Sequence, residues 1–309
     1  MAQQAWDQGY IVFASAFEAY PGHSSFTVDK LLVGTYDADL ATLAGQFKEF
    51  GRPMFFSTAR EPNVILSDYM GGFGPDGDKS TAWAYENERT TGDFTPPTGP
   101  SGSPDLYVGL GDSEACDGLE RLAAAQRYYY DFFVRREGID FLTFDTMGWN
   151  ADIGAELEED AWTVPCGNLR AFHGMLVGYA DWVSINTYFD TDDVIPLPTV
   201  EKYLADLDKF MNEVIRGGPL ASLPVMITEL GFCGADAPSK ISQGLDAIVS
   251  NYPEIGAVIF WGDDSNIGLE CLVDPGPEAD AFNTVMTANP DSFHSCVTFS
   301  DGTSPPGCQ

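Results

Sequence analysis

The sequence predicts an α/β fold, a parallel sheet covered by helices, and three observations predict it. Short apolar runs rich in Val, Ile and Phe recur along the chain, each followed by a stretch with helical spacing, and the runs are apolar almost throughout. Such continuous hydrophobicity is what burial on both faces of a sheet demands. At 309 residues the chain has room for two average domains, but single α/β barrels reach this size, so one domain spanning 1–309 is the simpler organisation.

IVFASAF near residue 11 and LLVG near 31 read as the first two strands. Leu40, Leu43, Ala44 and Phe47 keep helical spacing before Gly51, and PMFFST near 53 reads as the next strand. From Pro62 to about Cys116 the chain is rich in Gly, Pro, Ser and Thr, with TPPTGPSGSP at its centre, too long for a passive turn. It holds Tyr69, Trp83, Tyr85 and Tyr107. Aromatic rings in such a loop suit the wall of a sugar-binding cleft, and an interdomain linker or a self-packed loop fits the same composition.

A helix follows, with Asp117 as N-cap, Glu120 completing a capping box, Leu119, Leu122, Ala123, Tyr130 and Phe133 at helical spacing, and Gly138 at its end. IDFLTF near 139, DWVSIN near 181, PVMIT near 224 and AVIFW near 257 are the remaining strands; Val200, Leu204, Leu207, Met211 and Val214 mark a helix before Gly217. After a last helix near 278–289, FHSCVTFS at 293–300 offers another apolar run, and SDGTSPPGCQ ends the chain as a tail.

A formal charge of −32, from 47 acidic and 15 basic residues, repels phosphate backbones, anionic lipid and polyanionic substrates, which argues against nucleic-acid and membrane-surface partners. The same acidity serves solubility. No run approaches the roughly 18 consecutive apolar residues of a membrane-spanning helix. Cys116, Cys166, Cys233, Cys271, Cys296 and Cys308 form no CxxC pair and have no close histidine, so disulfides suit them better than zinc, with Cys296 and Cys308 the preferred local pair holding the tail. Neither a metal nor an organic cofactor is implied. Cysteine use points to a secreted protein, and the polar MAQQAWDQG is read as the start of a mature chain without a visible leader.

In parallel α/β barrels the reactive groups stand at the carboxyl ends of strands. Two glutamates do so here: Glu229 directly follows PVMIT, and Glu61 closes PMFFSTAR. Two carboxyl groups in one cleft can divide the roles of proton donor and nucleophile, the division glycosidic cleavage requires. With 47 acidic residues, a glutamate at either strand end by chance is equally compatible with position alone.

Several segments, in order, resemble glycoside hydrolase family 26 within the clan of retaining glycosidases. GTYDADLATLAGQFKEFGRPMFFSTAREPN is similar to the family's helix start and fourth strand, ending in the acid/base, here Glu61, with Asn63 two residues on. YYYDFFVRREGIDFLTFDTMGWN resembles the helix and fifth strand, ending at Trp149-Asn150, and GYADWVSINTYFD the sixth, whose tyrosine, here Tyr188, bonds the nucleophile. PVMITELGF resembles the nucleophile strand and assigns Glu229; AVIFWGDD resembles the eighth, with Trp261 flooring the subsite of the reacting sugar.

The resemblance covers roughly residues 10–265 and implies a (β/α)8 barrel in which Glu61 and Glu229 lie three strands apart. It further implies a monomeric, endo-acting retaining hydrolase of a neutral β-linked polysaccharide, β-mannan first and β-glucan or β-xylan next. Arg60, Asn63, Trp83, Trp149, Asn150, Tyr188 and Trp261 would hold the polysaccharide or oligosaccharide.

Two departures stand against the family pattern. Ser57 and Arg60 occupy positions where members commonly carry an arginine and a histidine, which bears on the substrate; Arg60 either faces substrate or pairs with a loop acid. The sheet also reads one strand short at its start, so the first strand is missing or rearranged, with 293–300 the candidate to fill the vacancy. His23, His173 and His294 are scattered without a nucleophile elbow. Asp145 ends a strand and reads as a third active carboxylate or as structural, and Asp263 and Asp264 as sugar or cation ligands. The rival reading from another class is a non-catalytic carbohydrate-binding protein on a decayed glycosidase barrel.

Overall fold

The computed structural model describes residues 2–15, 28–58, 107, 109–110, 117–146, 148–149, 169–189, 200–232, 237–260 and 277–289. Its strands are β1 (Val12–Ser15), β2 (Met54–Ser57), β3 (Leu142–Asp145), β4 (Gly148–Trp149), β5 (Val183–Phe189), β6 (Val225–Phe232) and β7 (Ile255–Phe260), and all of their pairings are parallel. The helices are α1 (Ala2–Asp7), α2 (Val28–Leu32), α3 (Asp37–Phe50), α4 (Asp117–Tyr130), α5 (Leu169–Met175), α6 (Val200–Phe210), α7 (Ala237–Asn251) and α8 (Pro277–Ala288). α4 and α6 run on into single π-helical turns, Asp131–Arg136 and Met211–Arg216.

β1, β2 and β3 pair in that order, as do β4, β5, β6 and β7. One bridge joins the two groups: Asp145 opposite Trp182 has the same residue spacing as Gly148 opposite Ile185 and Trp149 opposite Asn186. β3 and β4 are therefore one interrupted line beside β5. The described strands then follow chain order across the sheet without reversal, whereas a doubly wound sheet reverses at its switch point. Parallel strands so ordered need a crossover after each, and the intervening helices supply it.

Side chains alternate between two faces. Phe56 points to the helices, its ring centroid 5.5 Å from that of Phe133 and 6.0 Å from that of Phe47, and Phe144 packs 5.2 Å from it on the neighbouring strand. Its neighbour Phe55 points the other way, stacking on Phe13 of β1 at 6.1 Å and meeting Trp182 edge-on at 5.6 Å. Trp182, the bridge residue just before β5, is two strand positions from β2, and its ring lies 3.1 Å from where a side chain on Gly256 of β7 would begin, two positions away on the other side. A ring that touches both lies on the concave face of a curved sheet.

Residues 31–34 correct one expectation. LLVG is not a strand: Leu31 and Leu32 belong to α2, are fully buried, and pack into the same core as α4. Gly34 supplies the reason, with φ of 77° and its N–H donated to Leu31 O at 2.8 Å, while Thr35 N–H reaches Lys30 O at 2.9 Å. That bond pair is the glycine-terminated helix end, a conformation L side chains rarely enter. The glycine that punctuates an apolar run here stops a helix. Gly51 and Gly138 close α3 and the turn after α4 in left-handed geometry, as their sequences predict. The proposed strand 293–300, the tail and all six cysteines lie outside the described residues.

Candidate functional site

The carboxyl ends of β2 and β3 and the interior of β5 and β6 carry a band of buried polar groups: Ser57, Thr58, Asp145, Thr146, Ser184, Asn186 and Thr228. Polar atoms are costly to bury in an apolar sheet unless bonded, and most of these are. Asp145 accepts a hydrogen bond from the Ser184 hydroxyl across the β3–β5 junction. Gln126 of α4 donates from Nε2 to the Asp145 carbonyl at 3.3 Å and to the Tyr179 carbonyl at 3.1 Å, fixing the helix to the strand end. The Ser184 N–H donates to Thr146 Oγ1 at 3.4 Å, and the same hydroxyl lies 3.3 Å from His173 Nε2. Burial pushes the His173 imidazole down to about 3, so it is neutral wherever the protein is near neutrality. Asp145 is accordingly a buried strut, bonded to Ser184, rather than a solvent-facing acid.

The register of β6 breaks inside this band. Ile227 faces Ile185 on β5, but the next β5 residue, Asn186, faces Glu229, leaving Thr228 without a counterpart. Toward β7 the same stretch carries the surplus: Ile227 faces Val258 and Leu230 faces Phe260. β6 thus bulges by one residue at Thr228, whose hydroxyl lies 3.1 Å from Ile185 O and 2.6 Å from Asn186 Oδ1 and donates its single hydrogen there. Bulges bend a strand and re-aim the side chain beside them.

Of the residues singled out from sequence, the backbone of Glu229 falls on the rung Trp149–Asn186–Glu229, shared by β4, β5 and β6. Tyr188 lies opposite Gly231, two residues farther along. Glu61, Arg60, Asn63, Trp83, Asn150 and Trp261 lie outside the described residues. Tyr107, from the long Gly/Pro loop, packs against the hydrophobic core, and burial raises its phenol's pKa; this ring is built into the fold. Sequence reading missed the Asp145–Ser184 and Thr146–His173 pairs and the bulge. The pairs had a signal: Ser184 and Asn186 alternate with apolar residues in DWVSIN, marking one polar face of a buried strand. The bulge had none.

Among the described residues no cluster of three His, Cys, Asp or Glu side chains could hold a metal, and no helix is long and apolar enough to cross a membrane.

No family model matches the chain, and no curated protein matches it. Solved structures do. A modular endo-β-1,4-mannanase from Cellulomonas fimi, described among glycoside hydrolase family 26 mannanases, superposes with a TM-score of 0.55 at 14% identity, covering 99% of this chain and 60% of that one. GH26C from a Muricauda species gives 0.53 at 14% identity, covering 92% of this chain and 68% of that one. The likeness is one of fold: this α/β chain of parallel strands is built like those glycoside hydrolases.

Proposed function

We propose that this chain is a retaining, endo-acting glycoside hydrolase of a neutral β-linked polysaccharide, with Glu229 as nucleophile and Glu61 as acid/base on a (β/α)8-type barrel. The observation that carries it is the bulge at Thr228. Asn186 has the parity of Trp182 and Ser184, on the concave side, and only the extra residue in β6 brings Glu229 level with it. Without that residue Asn186 would face position 228, and Glu229 would fall opposite Thr187.

Glu61 is supported by register. β2 and β3 pair in phase up to Ser57 opposite Asp145. If that phase runs on, Glu61 falls level with Trp149, and so with Asn186 and Glu229. β2 and β6 are three strand positions apart, the separation that sets a retaining pair about 5–5.5 Å apart across a barrel mouth. In this reading the protonated Glu61 carboxyl donates to the departing oxygen while the Glu229 carboxylate attacks the anomeric carbon. Glu61 then takes a proton from water as that water releases the glycosyl-enzyme. Tyr188 would hold Glu229, and Arg60, Asn63, Trp83, Trp149, Asn150 and Trp261 the sugars. β-Mannan is proposed first because the Cellulomonas fimi protein of like fold is a mannanase. Secretion, disulfides including Cys296–Cys308, and a monomeric state belong to the same proposal.

The test is turnover of β-mannan, mixed-linkage β-glucan and β-xylan by the wild type, Glu229→Gln and Glu61→Gln, with product stereochemistry read by NMR. Expected are β-configured first products and a loss of about four orders of magnitude in kcat for Glu229→Gln. Sugar binding without turnover in any form, the mark of a decayed binding protein, sinks the reading. An inverted product sinks the assignment of Glu229 as nucleophile.

A further inference from the structure

Over one short stretch β6 is out of phase with both of its neighbours, and the two sides have different causes. Toward β7 two shifts cancel. Val225 faces Ile255 but Met226 faces Ala257, which puts the surplus residue, Gly256, on β7; between the Ile227–Val258 and Leu230–Phe260 pairs the surplus passes to β6, and the first register returns. Gly256 lies against the Trp182 ring, 3.1 Å from where its Cβ would stand, so packing on a glycine accounts for the first shift. The second shift needs its own cause, because a surplus residue gives up regular ladder bonds and the residues around it, Ile227 to Leu230, include no glycine or proline to impose one.

That cause is visible toward β5, in the residue left without a counterpart. The Thr228 hydroxyl lies 2.6 Å from Asn186 Oδ1 and 3.1 Å from Ile185 O, and both residues of the side-chain pair are buried, Thr228 at 3% exposure and Asn186 at 0%. A side chain on a regular rung stands off the sheet. One whose hydroxyl sits beside the main-chain oxygen of the next strand lies in the ladder itself, between the Ile185–Ile227 rung and the Asn186–Glu229 rung. A hydroxyl shut away from water must find its acceptor inside the protein, and here both acceptors belong to β5.

We propose that Thr228 is a positioning residue: its hydroxyl, held between Ile185 O and Asn186 Oδ1, fixes the surplus residue in β6 and so keeps the backbone of Glu229 level with Asn186. The catalytic consequence rests on the reading of Glu229 as nucleophile, whereas the structural one rests on the register alone. Valine keeps the shape of threonine but removes the donor, which leaves a buried amide oxygen short of a hydrogen bond.

Thr228→Val, Thr228→Ala and Thr228→Ser in the full chain test the proposal, read by turnover of β-mannan, mixed-linkage β-glucan and β-xylan and by amide hydrogen exchange over 226–232. The alanine variant also removes any crowding that a valine methyl brings against Asn186. Expected for valine and alanine alike is a fall of about a hundredfold in kcat with KM held within about twofold, since a displaced nucleophile costs rate and not binding. Exchange at Glu229 and Leu230 should quicken about tenfold while β3 is unchanged. Thr228→Ser keeps the hydroxyl and should stay within about threefold of the wild type in both readouts. Wild-type kcat in the valine or alanine variant overturns the proposal, as does a loss carried by KM or a serine variant as impaired as alanine. A wild type without turnover on any of the three glycans defeats the nucleophile reading instead, and exchange then decides the role of Thr228: quickening at Glu229 and Leu230 that serine rescues upholds it, and unaltered exchange overturns it.

Discussion

The convex and concave faces of the sheet follow different rules. Toward the helices, Met54, Phe56, Phe144, Val183, Ile185, Val225 and Ile227 are buried hydrophobics, and the aromatic cluster of Phe47, Phe56, Tyr129, Phe133 and Phe144 fills the space with edge-on and stacked rings. On the other face an aromatic group of Phe13, Phe55 and Trp182 adjoins a polar one of Ser57, Asp145 and Ser184, with Asn186 farther along β5. The difference teaches that one face is built for cohesion and the other to hold a few polar groups in fixed places. Burial alone does not distinguish them, since Asp145 is as buried as Phe144.

The contrast can be broken experimentally. Phe56→Ala should cost the most, about 3–5 kcal/mol in urea unfolding, since it opens a cavity among four rings. A cost under about 1 kcal/mol would mean that the convex face is loosely packed. Ser184→Ala should cost about 1–3 kcal/mol by leaving the buried Asp145 carboxylate short of a donor, and Asp145→Asn in the same background should recover part of it. Non-recovery would detach the polar layer from hydrogen bonding.

His173 brings pH dependence. Its folded-state pKa of about 3 lies below the ordinary 6.5, so the unfolded chain takes up a proton that the folded one refuses as pH falls below 6.5. Relative to pH 7, stability should be lost by up to about 1.4 kcal/mol per pH unit between roughly pH 6 and 5. His173→Leu should flatten that slope, and an unchanged slope would move its origin to other groups. Gly256→Ala should have the smallest effect, about 1 kcal/mol, by crowding the Trp182 ring, with a shift in tryptophan fluorescence as its marker. Silence in both would mean that Trp182 does not span the concave face.

Legibility divides along the same line. α3, α4 and α6 were readable because their buried residues keep helical spacing and their ends carry local signals such as Gly51 and Gly138. β2, β3, β5, β6 and β7 were readable as apolar runs. LLVG misled because four apolar and glycine residues suit a strand and a helix end equally, and the packing of Leu31 and Leu32 in the core shared with α4 settles it. Glu229 was expected at the end of the strand PVMIT, whereas β6 runs three residues past it to Phe232, and neither that extension nor its row was legible, because a strand's register depends on its neighbour.

The sequence by itself determined a parallel α/β chain, the faces of its longer helices and the strand that carries Glu229, because periodicity and capping act within a few residues. Only the tertiary structure decided the curvature around Trp182, the Asp145–Ser184 strut and the bulge that sets Glu229 level with Asn186. Each rests on partners more than 35 residues apart, as with the Thr228 hydroxyl at Asn186 Oδ1, a separation of 42. No local pattern in PVMITELGF encodes a hydrogen bond whose acceptor arrives on another strand.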